Sequence, residues 1–423
     1  MKTFDETTAR SARNFFPALA RKENGKEVVF FDGPAGTQVP VTVVDAMSEY
    51  LLGCNANHGG VFETSIQSDR WLHQAHQAFA DFVGSPDPDE IVFGQNMTSL
   101  TFAFSRSLSK TWTAGDEIIV TRLDHDANVS PWVRAAEDQG VQVNFVSFHN
   151  EDCRLNLEEL QGFLNERTKL VAVGCASNAT GGINPVKEIA RLAHDVGALV
   201  FLDAVHYGPH GLIDVIDWDC DFLACSAYKF FGPHIGILWG RKKLLDSLHA
   251  YRVRPAGDEL PGKWMTGTQS HESIVGALAS VDYLTEIGEE LRGDADLTRR
   301  EALICAFEGI KNYERQLSEK LINELSSIPE IKIYGITDLE RLDSRFPTFS
   351  ITHQKVTSTE LAKHLAKDGI YVWNGNYYAL EFSEALGLEP EGMVRIGLVH
   401  YNTVEEIDRL IQSLLSIGSA CTF

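Results

Sequence analysis

The chain has 423 residues, 44% of them hydrophobic and 23% charged, the composition of a well-packed soluble protein long enough for two lobes. Its formal net charge of −22 argues against nucleic acid or an anionic membrane as main partner, because either needs a basic face. Seven cysteines (Cys54, Cys153, Cys175, Cys220, Cys225, Cys305 and Cys421) include no CxxC pair, so no disulfide framework and no metal site is expected. The opening stretch MKTFDETTARSARNFFPAL lacks a continuous apolar run and none follows, which predicts a cytoplasmic protein without a membrane segment.

From residue 90 onward, short β-rich runs alternate with helical patterns. EIVFG (90–94) leads into a helix from about Thr98, and DEIIVTRLDHD is a strand with a loop. QVNFVSF, TKLVAVGCASN, ALVFLDAVH, CDFLACSAYK and GILWGRKKLL continue the series, separated by the helix-like VSPWVRAAEDQG, NLEELQGFLN and VKEIARLAHDVG. This rhythm predicts an α/β layer architecture on a mainly parallel sheet, whose ligands bind beyond the carboxyl ends of the strands. The last third reads differently. A long helical stretch from about Ser270 to Leu325 gives way to EIKIYGI, RFPTFSITH, a helix STELAKHLAKDG, the strands YVWNG and MVRIGLVH, and an amphipathic closing helix TVEEIDRLIQSLLSI. We expect a large domain over 30–275 and a smaller α+β domain over 276–423, joined by the N-terminal segment 1–29.

Several strand ends carry polar residues that packing does not require: His125, Asn178, Asp203 with His206, and Ser226, Tyr228 and Lys229. A single acid after a strand is ordinarily a cap or turn residue, and a single lysine there ordinarily faces water. Asp203 precedes Lys229 by 26 residues, however, one strand-to-strand interval, so the two should meet at one edge of the sheet. A lysine that can form a Schiff base, a carboxylate for a pyridine nitrogen and a helix N-terminus for a phosphate (the turn GQNMTSL, with Met97 and Thr98) are what pyridoxal phosphate requires. The helix start alone is weak support, since Ser and Thr are also common N-caps.

Seven segments in order extend this pattern: FFDGPAGTQVP, LDHDANVSPW, SNATGGINPVKEI, FLDAVH, SAYKFFGPHIGILWG, TGTQSHE and VRIGLVHYNT. Over nearly the whole chain they resemble the class V aminotransferase family of fold-type-I pyridoxal phosphate enzymes, in its cysteine desulfurase branch. The resemblance implies a seven-stranded, mainly parallel sheet in the large domain and a homodimer with shared active sites. It implies that Lys229 forms the internal aldimine, Asp203 pairs with the pyridine nitrogen and His125 stacks on the ring. Asn178 and His206 fall near the phenolic oxygen, where desulfurases usually have Gln in place of His206. Met97, Thr98, Ser226 and Tyr228 fall to the phosphate, the family often having His at Tyr228, and Thr268 to the phosphate of the neighbouring subunit. Arg395 is assigned the substrate carboxylate, with Pro34 and Ala35 also on the substrate side.

One departure governs the functional expectation. The segment that carries the nucleophilic cysteine in desulfurases matches GIYVWNGNYYA (369–379), and the cysteine position falls on Tyr378. A phenol with an unperturbed pKa near 10 is a poor substitute for a thiolate. Of the seven cysteines, Cys175 and Cys225 are expected inside strands, and Cys54 lies in a segment the family folds towards the site. The expected function is therefore a pyridoxal phosphate enzyme acting on an α-amino acid, with elimination or replacement at the β or γ position and no persulfide. Tyr377 or Tyr378 is the candidate acid. Trp373, Asn374, Asn376, Tyr377 and Tyr378 are expected at the side-chain end, their aromatic character suggesting a substrate larger than cysteine or a reaction that excludes water. The alternatives are an aminotransferase, epimerase or cyclase; a true desulfurase using another cysteine; and a non-catalytic regulatory protein on the same scaffold.

Overall fold

The protein is described by a computed structural model covering residues 2–23 and 25–420. After a short N-terminal helix (Glu6–Ala12) come two longer helices that the sequence pattern did not disclose, α1 (Val41–Gly53) and α2 (Glu63–Val83). The central sheet then assembles from β1 (Ile91–Gly94), β2 (Glu117–Thr121), β3 (Gln142–Val146), β4 (Thr168–Gly174), β5 (Leu199–Asp203), β6 (Phe222–Ser226) and β7 (Gly236–Gly240). Their order is β1-β7-β6-β5-β4-β2-β3. All neighbours are parallel except β7, which runs antiparallel to both β1 and β6. Every residue of β2, β6 and β7 is buried. Continuous apolar strands of this kind need cover on both faces, and helices supply it. They include α3 (Met97–Leu108), α4 (Ser130–Gln139) and α5 (Val186–His194).

The long helical stretch expected over 270–325 is two helices, α6 (His271–Arg292) and α7 (Arg299–Ser326). Gly293 ends the first at φ +73°, and Thr298 with Glu301 forms a reciprocal capping box that starts the second. Helix α6 runs unbroken through positions 275 and 276 and packs on α1, α2 and α7.

The C-terminal region builds a four-stranded antiparallel sheet from β8 (Ile331–Tyr334), β9 (Thr348–His353), β10 (Trp373–Gly375) and β11 (Met393–Gly397), in the order β8-β9-β11-β10. Helix α8 (Ser358–Lys367) packs on it, and α9 (Val404–Ala420) packs in turn against α7 and α8. The segment YVWNG, expected as one strand, divides at Val372. Ile370–Tyr371 pairs in parallel with Val29–Phe30 of the N-terminal segment, and only Trp373–Gly375 joins the sheet. Arg345 fastens this sheet to the large one. It is buried, stacks at 3.8 Å on Phe349 and donates to the carbonyls of Phe346, Ile336, Thr180 and Thr348. Among the described residues no helix is long and apolar enough to cross a membrane.

Candidate active site

The parallel register sets Gly174 opposite Asp203, and Asp203 opposite Ala224, so β4, β5 and β6 end at one level. The chain leaving β6 turns at once into a short 3-10 helix, Ala227–Lys229, which returns Lys229 over the strand ends. A cavity of about 420 Å³ opens there, lined by Met97, Thr98, His125, Asn178, Asp203, His206, Ser226, Tyr228 and Lys229 among others. A second compartment of about 470 Å³ continues from it through Pro34, His125, Asn178, Tyr228 and Lys229, and is completed by Ala35, Trp373, Asn374, Asn376, Tyr377, Tyr378 and Arg395. The fold thus gathers every expected site residue except Thr268. That residue lies on an exposed stretch away from both compartments.

In the inner chamber, Lys229 Nζ donates to the backbone carbonyls of Pro34 and, at 3.2 Å, of Ala35. Burial and the nearby Arg395 charge bring its pKa down to about 7, so the amine is readily neutral. Asp203 accepts from Val205 N–H at 2.8 Å and is pushed up to about 7 by burial, which outweighs the pull of Lys229. A carboxyl in that state lacks a cation. His125 Nδ1 accepts from Ala127 N–H at 3.0 Å, which leaves the proton of the neutral ring on Nε2, and burial holds its pKa near 3. His206 Nε2 and Asn178 Oδ1 are buried without a partner.

The phosphate end is set by α3. Asn96 caps it by accepting from Ser99 N–H at 2.9 Å, and Ser226 Oγ accepts from Met97 N–H at 3.0 Å, leaving Thr98 at the chamber wall. The helix start can come this close to β7 only because residue 236 is glycine: a Cβ there would lie 2.3 Å from the backbone carbon of Asn96. Tyr228 stacks on His234 at 4.9 Å and 14°.

The outer compartment presents a guanidinium. Arg395 is buried, donates to Asn178 O at 2.9 Å and lies 4.4 Å over the ring of Tyr377. Among the described residues it forms no ion pair, and burial lowers its pKa to about 10. Tyr377 and Tyr378 both occupy left-handed backbone (φ +56° and +60°), uncommon for residues with bulky side chains. The turn is pinned by Asn178 Nδ2 donating to Tyr377 O at 3.0 Å and Asp126 N–H donating to Tyr378 O at 2.7 Å. The two tyrosines differ. Tyr377 is enclosed, its hydroxyl unpartnered, and burial raises its pKa far above the ordinary phenol value; Tyr378 is 72% exposed and stacks on His125 at 5.4 Å.

Among the described residues no cysteine lines either compartment. Cys225 lies in β6 as expected, while Cys175 falls just past β4, and both are fully buried. Cys54 caps the end of α1, buried against Tyr50 and Val275, and lines neither compartment of its own chain. Cys153 and Cys220 are buried and Cys305 is partly exposed. Cys421 lies outside the described residues.

Sequence reasoning passed over four groups. Asp124 is enclosed at the chamber wall, accepts from Thr121 Oγ1 (2.8 Å), Asn128 Nδ2 (2.7 Å) and Gly174 N–H (3.0 Å), and so moors the His125 loop to β4. Asp32 is pushed up to about 6 by burial despite Arg395 and Lys229 nearby, and its Oδ1 is unpartnered. His234 and Val205 complete the wall. All four lie inside the quoted motifs, within five residues of a chosen site residue; closeness to those residues was the available signal.

The chamber suits pyridoxal phosphate on its own chemistry: a neutral-prone lysine, a buried carboxyl lacking a cation, unpartnered Asn178 and His206 atoms, and a helix start at the far wall. The comparisons agree. The Aminotransferase class-V family model matches residues 29–410. A probable cysteine desulfurase of Synechocystis sp. is 31% identical over 421 residues, covering 96% of this chain and 94% of the relative. The aminotransferase-like protein FGM3 of Gibberella zeae is 32% identical over 415 residues, covering 96% and 97%. The solved apo cysteine desulfurase of Thermococcus onnurineus superposes with a TM-score of 0.84 at 26% identity, covering 96% and 97%. The fold and site define a fold-type-I pyridoxal phosphate enzyme. The chain belongs to the class-V aminotransferase family, whose cofactor is pyridoxal 5′-phosphate.

Proposed function

We propose that this enzyme acts on an α-amino acid, eliminating or replacing a β or γ substituent without passing sulfur to a cysteine. One observation carries the reading: among the described residues no thiol lines either compartment, and the position matching the nucleophile is the exposed phenol of Tyr378. Pyridoxal phosphate, when bound, supplies an electrophilic carbonyl and an electron-withdrawing ring. Lys229 would engage that carbonyl, and Asp203 would hold the ring nitrogen. Asn178 and His206 would partner the ring oxygen, and Thr98, Ser226 and Tyr228 the phosphate.

The remaining work belongs to the chain's own groups. Arg395, buried and unpaired, binds the substrate carboxylate and fixes the Cα–H bond relative to Lys229. Lys229 Nζ, with its pKa near 7, takes the Cα proton and returns it. Neutral His125 carries no charge that would oppose a cationic ring. Tyr377 serves Arg395 as a platform, since its hydroxyl is sealed from substrate, which leaves Tyr378 as the candidate acid for the departing group. Thr268, outside the site of its own chain, is assigned to the phosphate of a second subunit in a homodimer.

L-Cysteine tests this reading. Any sulfide released should be accompanied by pyruvate, with no persulfide trapped on the protein, and Cys54→Ala should not alter the ratio. Stoichiometric alanine with an enzyme persulfide would overturn it. For shared sites, mixed dimers of Lys229→Ala and Thr268→Ala chains should regain activity by rebuilding one intact site; confirmed heterodimers without recovery would refute the assignment.

A further inference from the structure

Helix α7 carries a carboxyl group where its spacing calls for an apolar residue. Glu314 stands on the inward face with Phe307, Ile310, Leu317 and Leu321, and burial raises its pKa against the pull of His210. Its Oε2 lies 2.8 Å from His210 Nδ1, and its Oε1 has no partner on the protein. Apolar side chains in place of such a pair commonly cost no stability, so packing alone does not account for it. Both residues are enclosed by their own chain, His210 at 1% and Glu314 at 2% exposure, so a second subunit adds nothing to the pair.

His210 leads from Glu314 to the cofactor chamber. The turn after β5 folds back through Gly208 N–H donating to Ala204 O (2.9 Å) and His210 N–H donating to Tyr207 O (3.0 Å), which sets His210 behind His206. The His210 ring stacks on Phe346 at 4.9 Å and 26°, and meets the His206 ring edge-on at 5.4 Å and 67°. Gly211 lets the turn close, since a Cβ there would lie 2.6 Å from the Tyr207 ring and 3.0 Å from Phe346. His210 is thereby fixed by Phe346, by Glu314 and by its own turn. His206 lines the chamber, yet its buried Nε2 takes no hydrogen bond from the protein, so its orientation rests on what packs against it. The titratable groups around it are Asp203, Lys229 and Arg395 on the site side, and His210 with Glu314 behind. Burial, then the charges of His210, Arg395 and Lys229, keep its ring neutral.

We propose that His210, anchored by Glu314, is a positioning residue for His206 and fixes its ring against the ring oxygen of bound pyridoxal phosphate; this rests on the placement of His206 given above. A fixed neutral imidazole donates one hydrogen bond to that oxygen, which favours its anion and lowers the proton affinity of the bound cofactor. The test follows absorbance against pH for the loaded wild type, His206→Leu, Glu314→Gln and the double variant His210→Phe/Glu314→Leu. The double variant keeps an aromatic ring on Phe346 and leaves no charge buried. Its cofactor midpoint should rise by half a pH unit or more, about threefold in proton affinity, while its thermal stability matches or exceeds that of wild type. Glu314→Gln keeps an acceptor for His210 and should move the midpoint the same way by less; it decides the case if the double variant does not fold. His206→Leu should raise the midpoint at least as far as the double variant. In the apo protein, imidazole nitrogen resonances should show His206 as one tautomer in wild type and as an exchanging pair in the double variant. A midpoint that moves in His206→Leu but in neither of the other variants would overturn the positioning role and leave the placement of His206 intact. A midpoint unmoved in His206→Leu would refute that placement, and the proposal with it.

Discussion

Lys229 and Asp203 are displaced from their ordinary pKa values in opposite directions for one reason, since burial disfavours the charged form of each. Two outcomes follow. Capture of pyridoxal phosphate by the apo protein needs the neutral amine, so its rate should rise about tenfold per pH unit below 7 and level off above it, as stopped-flow absorbance would record. Borohydride reduction of the loaded protein should then leave the pyridoxyl mass on the Lys229 peptide. For Asp203 the pKa rises from 3.8 to about 7 on folding, so between those values the unfolded chain holds fewer protons than the folded one. The Asp203 contribution to apo stability should therefore fall as pH climbs from about 4 to 7, read as the stability difference between wild type and Asp203→Asn across that range. Asp203→Asn should raise the apo Tm at pH 8 and weaken cofactor binding at least tenfold, a pairing that separates a functional carboxylate from a structural one. Both residues were legible in the sequence because each ends a buried strand where packing has no use for charge. Tyr377 and Tyr378 were not. Neighbours of the same type, they differ only because two successive left-handed residues send one ring under Arg395 and the other over His125.

At the level of elements, the site depends on how closely α3 approaches β7. Gly236→Ala would drive a Cβ into the Asn96 backbone, and the helix start would have to retreat. We expect a loss of about 1–3 kcal/mol in stability and weaker binding of inorganic phosphate to the apo protein, measurable by denaturation and calorimetry. The alternation of strands and helices from residue 90 onward was readable from periodicity, as was the start of α3 to within a residue. Helices α1 and α2 were not: Ser65 and Ser68 are buried in α2 beside Ala75, Ala78 and Phe79, so the inward face mixes polar and apolar residues and hides the period. The break between α6 and α7 was missed although Gly293 and the Thr298 capping box mark it, because the apolar pattern resumes on the far side.

Across the whole molecule, Arg345 holds the two sheets in register. Its donors go to carbonyls on both sides of the junction, and Arg345→Met would leave them buried and unpaired, at a cost of about 3 kcal/mol or more. Thermal unfolding should show it, together with loss of the Arg395 position, read as weakened amino-acid binding. A second surface feature bears on the proposed dimer. Val44, Leu51, Leu52, Val61 and Phe62 are exposed on α1 and the connection after it, Leu52 at 89% and Val61 at 97%. Leu52→Asp should shift the protein towards monomer in sedimentation, and activity should fall with it if Thr268 serves a neighbouring site.

The amino-acid sequence by itself determined the layer architecture, the family and the chemical identity of the groups at the strand ends, because burial and periodicity leave a local imprint on residue order. It also determined that no cysteine stands at position 378. Only the tertiary structure decided which groups face one another. Arg395 meets Asn178 across 217 residues and Lys229 meets the Pro34 and Ala35 carbonyls across nearly 200, contacts between segments whose own composition says nothing of a partner. It also decided that Cys54 is turned into a separate cluster and that Asn374 and Asn376 donate to Thr359 and Glu389. Such assignments depend on packing between distant elements, and side-chain direction at a crossing is set by the sum of those contacts rather than by any one stretch of chain.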